Sequence, residues 1–278
     1  MTIFLALLSS AMWGTSDFCG GTLTRRRPAI TVAVISEVIG LAGIFVAAVV
    51  AGELTAPHGY LGWGVLGAVA GTAGIVAFYE ALATGTMGVV APIASTGVVV
   101  PVGVGLAQGD RPSALQAAGI AVAIVGVILA SGPELQRGEE RGKAARPLWL
   151  AGVAAIGFGV VFVALDHGAR TSTLMTLVTM RSVAVIVMLA IAAVTATSLR
   201  VGRADAPMLL LVGVFDVGAN ATFAYASRHG LLSVVSVLSS LYPAVTVVLA
   251  RAVHAERLAR VQLFGVIGAL AGVVLIAS

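Results

Sequence analysis

Residues 119–129 read GIAVAIVGVIL, and a similar stretch, GVIGALAGVVL, occurs 146 residues later at residues 265–275. At the same offset, residues 61–131 align with residues 207–277 without a gap. The matched positions include glycines, tyrosines and loop residues: Gly67 with Gly213, Tyr79 with Tyr225, Asp110 with Glu256, Arg111 with Arg257, and Gln116 with Gln262. The sequence therefore predicts two copies of one structural unit.

The composition is typical of a chain embedded in a lipid bilayer. Charged residues make up 10% of the chain, against about 25% in soluble domains. Hydrophobic residues make up 59%, and 34 further residues are glycines. Such a chain lacks the polar surface of a water-soluble enzyme and the low hydrophobicity of a disordered segment. The excess of 16 basic over 12 acidic residues indicates membrane topology rather than nucleic-acid binding.

Apolar stretches long enough to cross a bilayer as helices occur ten times. They cover residues 3–22, 29–51, 60–83, 87–107, 113–131, 148–166, 173–197, 207–227, 231–250 and 259–277. We therefore predict an all-α membrane protein of ten transmembrane helices. A first five-helix repeat takes residues 1–131, a charged linker takes residues 132–147, and a second five-helix repeat takes residues 148–278.

The odd number of helices in each copy determines how the copies are oriented. A chain that crosses the bilayer five times starts its second copy on the opposite side, so the two repeats are predicted to be inverted. Inverted repeats place a substrate site near the bilayer midplane and provide two related conformations for alternating access. A duplication that merely builds a stable bundle is the less favoured interpretation.

The basic residues in the connections predict the orientation of the chain. Three lie on one side: Arg111, Arg170 and Arg228. Twelve lie on the other: Arg25, Arg26, Arg27, Arg137, Arg141, Lys143, Arg146, Arg200, Arg203, Arg251, Arg257 and Arg260. Because cytoplasmic loops carry the excess of Lys and Arg, we predict a multi-pass protein of the cell (plasma or inner) membrane with both termini outside.

The end of each repeat carries a recognisable set of residues. In the second copy these are Ser239-Ser240-Leu241-Tyr242-Pro243, Ala255-Glu256-Arg257-Leu258, Gln262, Gly265 and Gly272-Val273. With Trp13-Gly14 in the first span, they resemble the EamA type of the drug/metabolite transporter superfamily over nearly the whole chain. The resemblance implies a ten-helix secondary transporter, usually an exporter of amino acids, related metabolites or toxic compounds. The chain departs from the family pattern at two positions. Asp110 stands where Glu is usual. The family often has an arginine in the second span of each copy, which Arg181 provides in the second copy, but the first copy has Glu37 close to that position.

Ionisable residues inside a span are costly in lipid, so each is a candidate functional residue. Asp17 lies four residues after Trp13 and shares its helix face. A carboxylate in a partly dry cavity can exchange a proton with water when the cavity opens, so Asp17 is the candidate for proton coupling. The small four-span relatives in the resembled superfamily use a first-span glutamate in this way. The alternative is a structural Asp bonded to Ser or Thr hydroxyls. Trp13 and Ser16 are candidate substrate contacts.

Span eight carries a second polar stripe. Asp216 and Asn220 are four residues apart and face one way, with Tyr225 slightly oblique. This stripe suits a ligand ammonium or hydroxyl group. The alternative is that Asp216 and Asn220 bond to each other or to a neighbouring helix.

Arg181 and Glu37 lie at nearly equivalent depths in spans seven and two. The charge of Arg181 cannot be lost, so it requires a carboxylate partner or an anionic ligand. A structural Glu37–Arg181 pair is slightly favoured over an Arg181 that receives a substrate carboxylate. At the end of span three, Tyr79 and Glu80 complete the candidates, Tyr79 as a packing or gate residue and Glu80 as one that can also reach the interface.

Small residues and prolines inside the spans predict how helices pack and bend. The pairs Gly67/Gly71 and Gly268/Gly272 permit close helix approach, more within the bundle than between subunits. Prolines inside spans four and nine predict bent helices: Pro92, Pro101 and Pro243.

These features together predict a secondary active transporter and not an enzyme. We expect it to export a small metabolite (an amino acid or a related polar or amphipathic compound) or a drug by alternating access, with proton antiport or exchange through Asp17. The alternatives are a gated channel or facilitator and a lipid-linked carrier without ion coupling. The expected partners are the small-molecule substrate, the lipid bilayer and protons, with no nucleic acid, cofactor or metal. A monomer and a homodimer both remain open.

Overall fold

The computed structural model describes residues 1–85, 90, 93–130, 141–254 and 260–277, and the regular elements in these residues are helices. Their bounds are α1 Thr2–Thr24, α2 Ala29–Val50, α3 Leu61–Thr84, α4 Val99–Ala107, α5 Ala114–Ala130, α6 Arg141–Ala169, α7 Thr173–Val194, α8 Ala206–Ser227, α9 Leu232–Ser239, α10 Tyr242–His254 and α11 Arg260–Ala277. Short 3₁₀ turns lie at Glu53–Thr55, His58–Tyr60 and Thr96–Val98. An all-helical fold follows from the composition, because lipid offers no partners for unpaired backbone groups.

Six helical stretches in the described residues are long and apolar enough to cross a membrane: Ala29–Val50, His58–Thr84, Arg146–Ala169, Thr173–Val194, Ala206–Ser227 and Leu232–Ala250. The predicted ten are therefore not all confirmed. The outer surface of the bundle carries large apolar side chains at high exposure, among them Val50, Trp149 and Val194. An apolar exterior of this kind is the surface that acyl chains cover.

The main helix contacts join the two halves of the chain. α3 packs along α6, α1 along α8, α2 along α7, and α5 along α11. When each helix is replaced by its counterpart about 146 residues away, the α1–α8 contact becomes the α6–α3 contact. The α2–α7 and α5–α11 contacts each join a helix to its own counterpart. The halves are therefore interleaved along their whole length, and the space between them lies at the centre of the molecule.

Span nine is not one continuous helix. It divides into α9 and α10, and Pro243 stands at the start of α10. The interruption is a turn at Ser240 and Leu241, just before the bend predicted at Pro243. Span four has a 3₁₀ turn at Thr96–Val98 before α4, and Pro101 lies inside α4. Pro92 lies outside the described residues.

The broken helix is fixed against α1 by hydroxyl groups. Ser239 Oγ donates to the Ala6 carbonyl at 3.2 Å, and Thr246 Oγ1 donates to the Gly14 carbonyl at 3.1 Å. Gly14 permits this approach, because a Cβ there would lie 2.5 Å from the Tyr242 carbonyl oxygen. These bonds set the depth at which Tyr242 enters the bundle.

The last part of the predicted charged linker is helical. α6 begins at Arg141, inside the segment 132–147 that we expected to connect the halves. The difference has a simple cause, since Arg, Lys and Ala are strong helix formers and extend the apolar helix beyond its membrane-spanning part. Residues 132–140 of the linker lie outside the described residues.

The glycine pairs make contacts within the bundle, as predicted. A Cβ on Gly67 would lie 2.8 Å from Met180 Cε on α7, and a Cβ on Gly71 would lie 3.0 Å from a methyl group of Val161 on α6. In the α5–α11 contact, a Cβ on Gly272 would meet Ala123 at 2.6 Å. The absence of a Cβ therefore allows helices of opposite halves to approach each other closely.

Candidate functional site

A cavity of about 680 Å³, its open mouth included, lies between the two halves near the middle of the helices. Its wall combines charged, aromatic and small side chains from seven helices: Trp13, Asp17, Glu37, Gly67, Ala68, Gly71, Thr72, Ile75, Phe158, Val161, Phe162, Met180, Arg181, Ala184, Asp216, Asn220 and Tyr242.

Arg181 is the centre of the charged part of the cavity. Its guanidinium Nη1 lies 2.5 Å from Glu37 Oε1 on α2 and donates a hydrogen bond to it. Its Nη2 forms a second ion pair with Asp216 on α8. The Arg181 and Glu37 side chains are about nine-tenths buried, while the Asp216 side chain is 25% exposed. One guanidinium thus joins three helices, and Asp216 is the carboxylate of this group most open to the cavity.

Asp216 also accepts hydrogen bonds from two other groups. The indole Nε1 of Trp13 donates to Asp216 Oδ1 across 3.1 Å, which links α1 to α8. Asn220 Nδ2 donates to the Asp216 carbonyl oxygen at 2.7 Å and lies 3.4 Å from its Oδ1. The contact between Asp216 and Asn220 that we gave as an alternative is therefore present, and both residues still line the cavity.

Asp17 lies in the same cavity without such partners. It is 8% exposed. Among the described residues, no side chain donates a hydrogen bond or forms an ion pair with its carboxylate, so the predicted alternative of a bond to Ser or Thr hydroxyls is not seen there. A buried carboxylate in this position requires a proton, water or a cation from outside the protein.

An aromatic wall lies beside the charged groups. Trp13 stacks on Phe162 with ring centroids 5.2 Å apart, and Phe162 stacks on Phe223 at 4.6 Å. Tyr242, at the break between α9 and α10, meets Trp13 edge to face at 6.4 Å. This wall provides flat apolar surface next to the acidic groups.

Two hydroxyl groups of the cavity lining have no hydrogen-bond partner in the part of the chain that the structure describes. They belong to Thr72 on α3 and Tyr242 on α10. The same holds for Arg181 Nε and Glu37 Oε2. Unpaired buried polar atoms are expensive unless water or a ligand pairs with them, so these four atoms are the polar atoms of the lining whose hydrogen bonds the described residues leave unmet.

The structure brings together six of the ten predicted site residues: Trp13, Asp17, Glu37, Arg181, Asp216 and Asn220. The predicted Glu37–Arg181 pair is present. Ser16 does not line the cavity, because its hydroxyl donates to the Val212 carbonyl at 3.1 Å inside the α1–α8 contact. Tyr79 is buried instead against Gly20, where a Cβ would collide with the phenol ring. Both are packing residues.

The other two predicted site residues lie outside the cavity. Glu80 is near the end of α3, where its exposed carboxylate lies 4.0 Å from the Arg146 guanidinium. Tyr225 is 43% exposed and stacks on His229 near the end of α8. Both lie too close to a helix end to reach the central cavity.

Eleven of the 17 lining residues were not predicted as site residues, among them Phe162, Thr72 and Tyr242. Phe162 and Thr72 carry no charge and look like ordinary residues of apolar helices. Tyr242 had a usable signal, because it directly precedes Pro243 in a span where a bend was expected. In the described residues, no group of three His, Cys, Asp or Glu side chains could hold a metal ion.

Comparison with known proteins identifies the family. No curated protein matches the chain. A solved structure titled only as a crystal structure of a protein superposes with a TM-score of 0.77 at 16% sequence identity, over 98% of this chain and 95% of that one, and it shows a shared fold. The model of the EamA-like transporter family matches residues 1–132 and again residues 146–278. The resemblance predicted from the sequence is confirmed, and the chain belongs to the EamA-like transporter family of multi-pass membrane proteins.

Proposed function

We propose that this protein is a secondary active transporter that exports a small polar or amphipathic compound, such as an amino acid, a related metabolite or a drug, by alternating access. The observation that carries the proposal is the group of Asp17, Glu37, Arg181 and Asp216 in a cavity between the halves. Ionisable groups at this depth are costly and mark substrate or ion pathways in membrane proteins.

The proposed conformational change is a rocking of the two halves around the cavity. In this proposal the chain has ten membrane-spanning helices in two inverted repeats, with both termini outside the cell. The reciprocal contacts α1–α8 and α3–α6 support it, because a pair of related contacts can exchange roles between two states. α5 and α11 pack on each other and would hold the bundle together while the other helices move.

In the proposed coupling, Asp17 exchanges a proton for the substrate. Its carboxylate is the acidic group of the cavity without a hydrogen-bond donor in the described residues. The titratable or charged groups that face it are Asp216 on α8, Tyr79 on α3 and Tyr242 on α10. Because Asp216 already pairs with Arg181, Asp17 is the group free to gain and lose a proton during the cycle.

Counterflow in proteoliposomes tests the proposed function. Vesicles are loaded with an unlabelled compound from a panel of amino acids, nucleosides, sugars, aromatic amines and aromatic acids, and uptake of the same labelled compound is followed. We expect transient accumulation of at least one compound with saturation. Flux that rises linearly with concentration and without accumulation would instead support the channel alternative.

Proton coupling is tested with the compound that the panel identifies. We expect an imposed pH gradient to drive uptake by wild type, and Asp17→Asn to exchange the compound without responding to the gradient. Asp166→Asn is the matched control, since Asp166 is also a buried aspartate of a long helix but pairs with Arg170 outside the cavity. An unchanged response in Asp17→Asn would remove Asp17 from the coupling role.

A further inference from the structure

The charges that line the cavity do not balance. Among the described lining residues, three are carboxylates and one is a cation. The cation, Arg181, is taken up by ion pairs with Glu37 and Asp216. Asp17 remains, nine-tenths buried, with no donor in the described part of the chain. The site therefore has one unpaired carboxylate, and the one cation among the described lining residues is already shared by two carboxylates.

The surroundings of Asp17 suit one kind of cation. Trp13 precedes Asp17 by one helical turn and faces the same cavity. The stacked rings of Trp13 and Phe162 offer a flat apolar surface, and the edge-to-face ring of Tyr242 closes one side. Aromatic faces attract cations, Trp most strongly, and also pack against flat apolar groups.

Two hydroxyl groups without a partner belong to residues of the same cavity lining as Asp17. Tyr242 Oη and Thr72 Oγ1 each have acceptor lone pairs without a partner among the described residues. An ammonium has three N–H donors. Asp17 can accept one or two of them, and Thr72 and Tyr242 line the same cavity.

From these observations, and building on the transport function proposed above, we infer that the substrate is a small organic cation, an ammonium group joined to an aromatic ring by a short alkyl chain. Its ammonium group donates to Asp17, and its ring packs on Trp13 and Phe162. An anion of the same shape meets the unpaired Asp17 carboxylate and must compete with two carboxylates for Arg181, so it binds more weakly.

Three compounds of similar size separate the charge classes: phenethylamine, the zwitterion phenylalanine and the anion 3-phenylpropionate. Trp13 is the reporter. The other two tryptophans lie outside the cavity, Trp63 against His167 and Trp149 at 73% exposure, so Trp63→Phe/Trp149→Phe leaves Trp13 as the single tryptophan. We expect phenethylamine to change Trp13 emission with a Kd at least tenfold below that of 3-phenylpropionate. We also expect Asp17→Asn to raise this Kd at least tenfold, and Asp166→Asn to leave it unchanged.

Thermal unfolding of the wild-type protein provides a second measurement that needs no variant. A ligand that binds the folded state raises the melting temperature by mass action, so phenethylamine should raise it and 3-phenylpropionate should not. Tighter binding of phenylalanine or 3-phenylpropionate, or no binding by any of the three, overturns the inference. Counterflow of phenylalanine without counterflow of phenethylamine also overturns it while leaving the transport function intact, so the two failures are distinguishable.

Discussion

The guanidinium of Arg181 lies 2.5 Å from the carboxylate of Glu37, and this buried ion pair joins the second half of the chain to the first. Because Asp216 shares the same guanidinium, removing Arg181 leaves two carboxylates without their counter-charge. The Glu37–Arg181 pair therefore holds the two halves together at the level of the cavity, where the proposed transport cycle requires them to stay aligned.

Loss of this ion pair should destabilise the folded protein. We expect Arg181→Met to lower the free energy of unfolding by about 3–5 kcal/mol, the usual cost of leaving buried charges unpaired. Thermal unfolding of the purified protein measures the change. Arg146→Met is the control, because Arg146 is 75% exposed and its partner Glu80 is 40% exposed. An exposed pair contributes about 0–1 kcal/mol. Equal effects of the two substitutions would contradict the structural role of Arg181.

Close approach of α1 to α10 should depend on Gly14. A methyl group there meets the Tyr242 backbone oxygen, which cannot move as a side-chain end can. We expect Gly14→Ala to destabilise the fold by about 1–3 kcal/mol, as measured by thermal unfolding. Gly43 is the matched control, since it is an exposed glycine of α2 where an added Cβ would have nothing within 4 Å. Gly43→Ala should be neutral or stabilising by up to about 1 kcal/mol. Greater stability of Gly14→Ala than of wild type would refute the close approach.

Inverted repeats place equivalent loops on opposite faces of the membrane. His58 and Ala204 are exposed, stand 146 residues apart and are therefore equivalent. In a Cys19→Ala background, His58→Cys should react with an impermeant maleimide added to intact cells. Ala204→Cys should react only after permeabilisation, because its loop carries Arg200 and Arg203 on the predicted cytoplasmic side. Reaction of both variants from the same side would disprove the inversion.

Asp110 holds the connection before α5 against the start of α9. Its Oδ2 accepts hydrogen bonds from the Ser233 amide at 2.9 Å and the Ser233 hydroxyl at 2.8 Å, and the two residues belong to opposite halves. In the proposed topology this contact closes the outer side. We expect Asp110→Ala to favour the outward-open state and to increase several-fold the rate at which an impermeant reagent outside the cell reaches a cysteine placed at Thr72.

Asp205→Ala is the control for this gate. It breaks a bond to Arg27 near the other side of the membrane, so it should not raise the rate of reaction from outside. Equal rates in Asp110→Ala and in its parent would argue against a gate at Asp110.

The charged part of the site could be predicted from the sequence for a physical reason. Asp17, Glu37, Arg181 and Asp216 are conspicuous because charge inside an apolar span has a high cost. The i, i+4 spacing of Trp13 to Asp17 and of Asp216 to Asn220 then placed each pair on a single helix face.

The errors have physical causes too. Tyr79 and Tyr225 match under the repeat, but a repeated aromatic residue is equally consistent with packing, which is the role of Tyr79. Ser16 precedes Asp17 by one residue, which rotates its side chain away from the cavity and toward α8. Phe162 and Thr72 carry no charge that would distinguish them from the surrounding apolar helix. Their place in the cavity depends on how the helices of one half pack against the other.

In the proposed transport cycle, the cavity between the halves opens alternately to the two sides of the membrane. Thr72 reports on it without knowledge of the substrate, because it lines the cavity and its hydroxyl has no partner in the described residues. In a Cys19→Ala background, Thr72→Cys is exposed to impermeant thiosulfonates from one side of oriented vesicles at a time.

We predict that Thr72→Cys reacts from both sides. When Asp110→Cys and Ser233→Cys are added and cross-linked to hold the outer side closed, reaction from outside should slow while reaction from inside continues. Reaction from one side alone under all conditions, or outside reaction that the cross-link leaves unchanged, would contradict the proposed cycle.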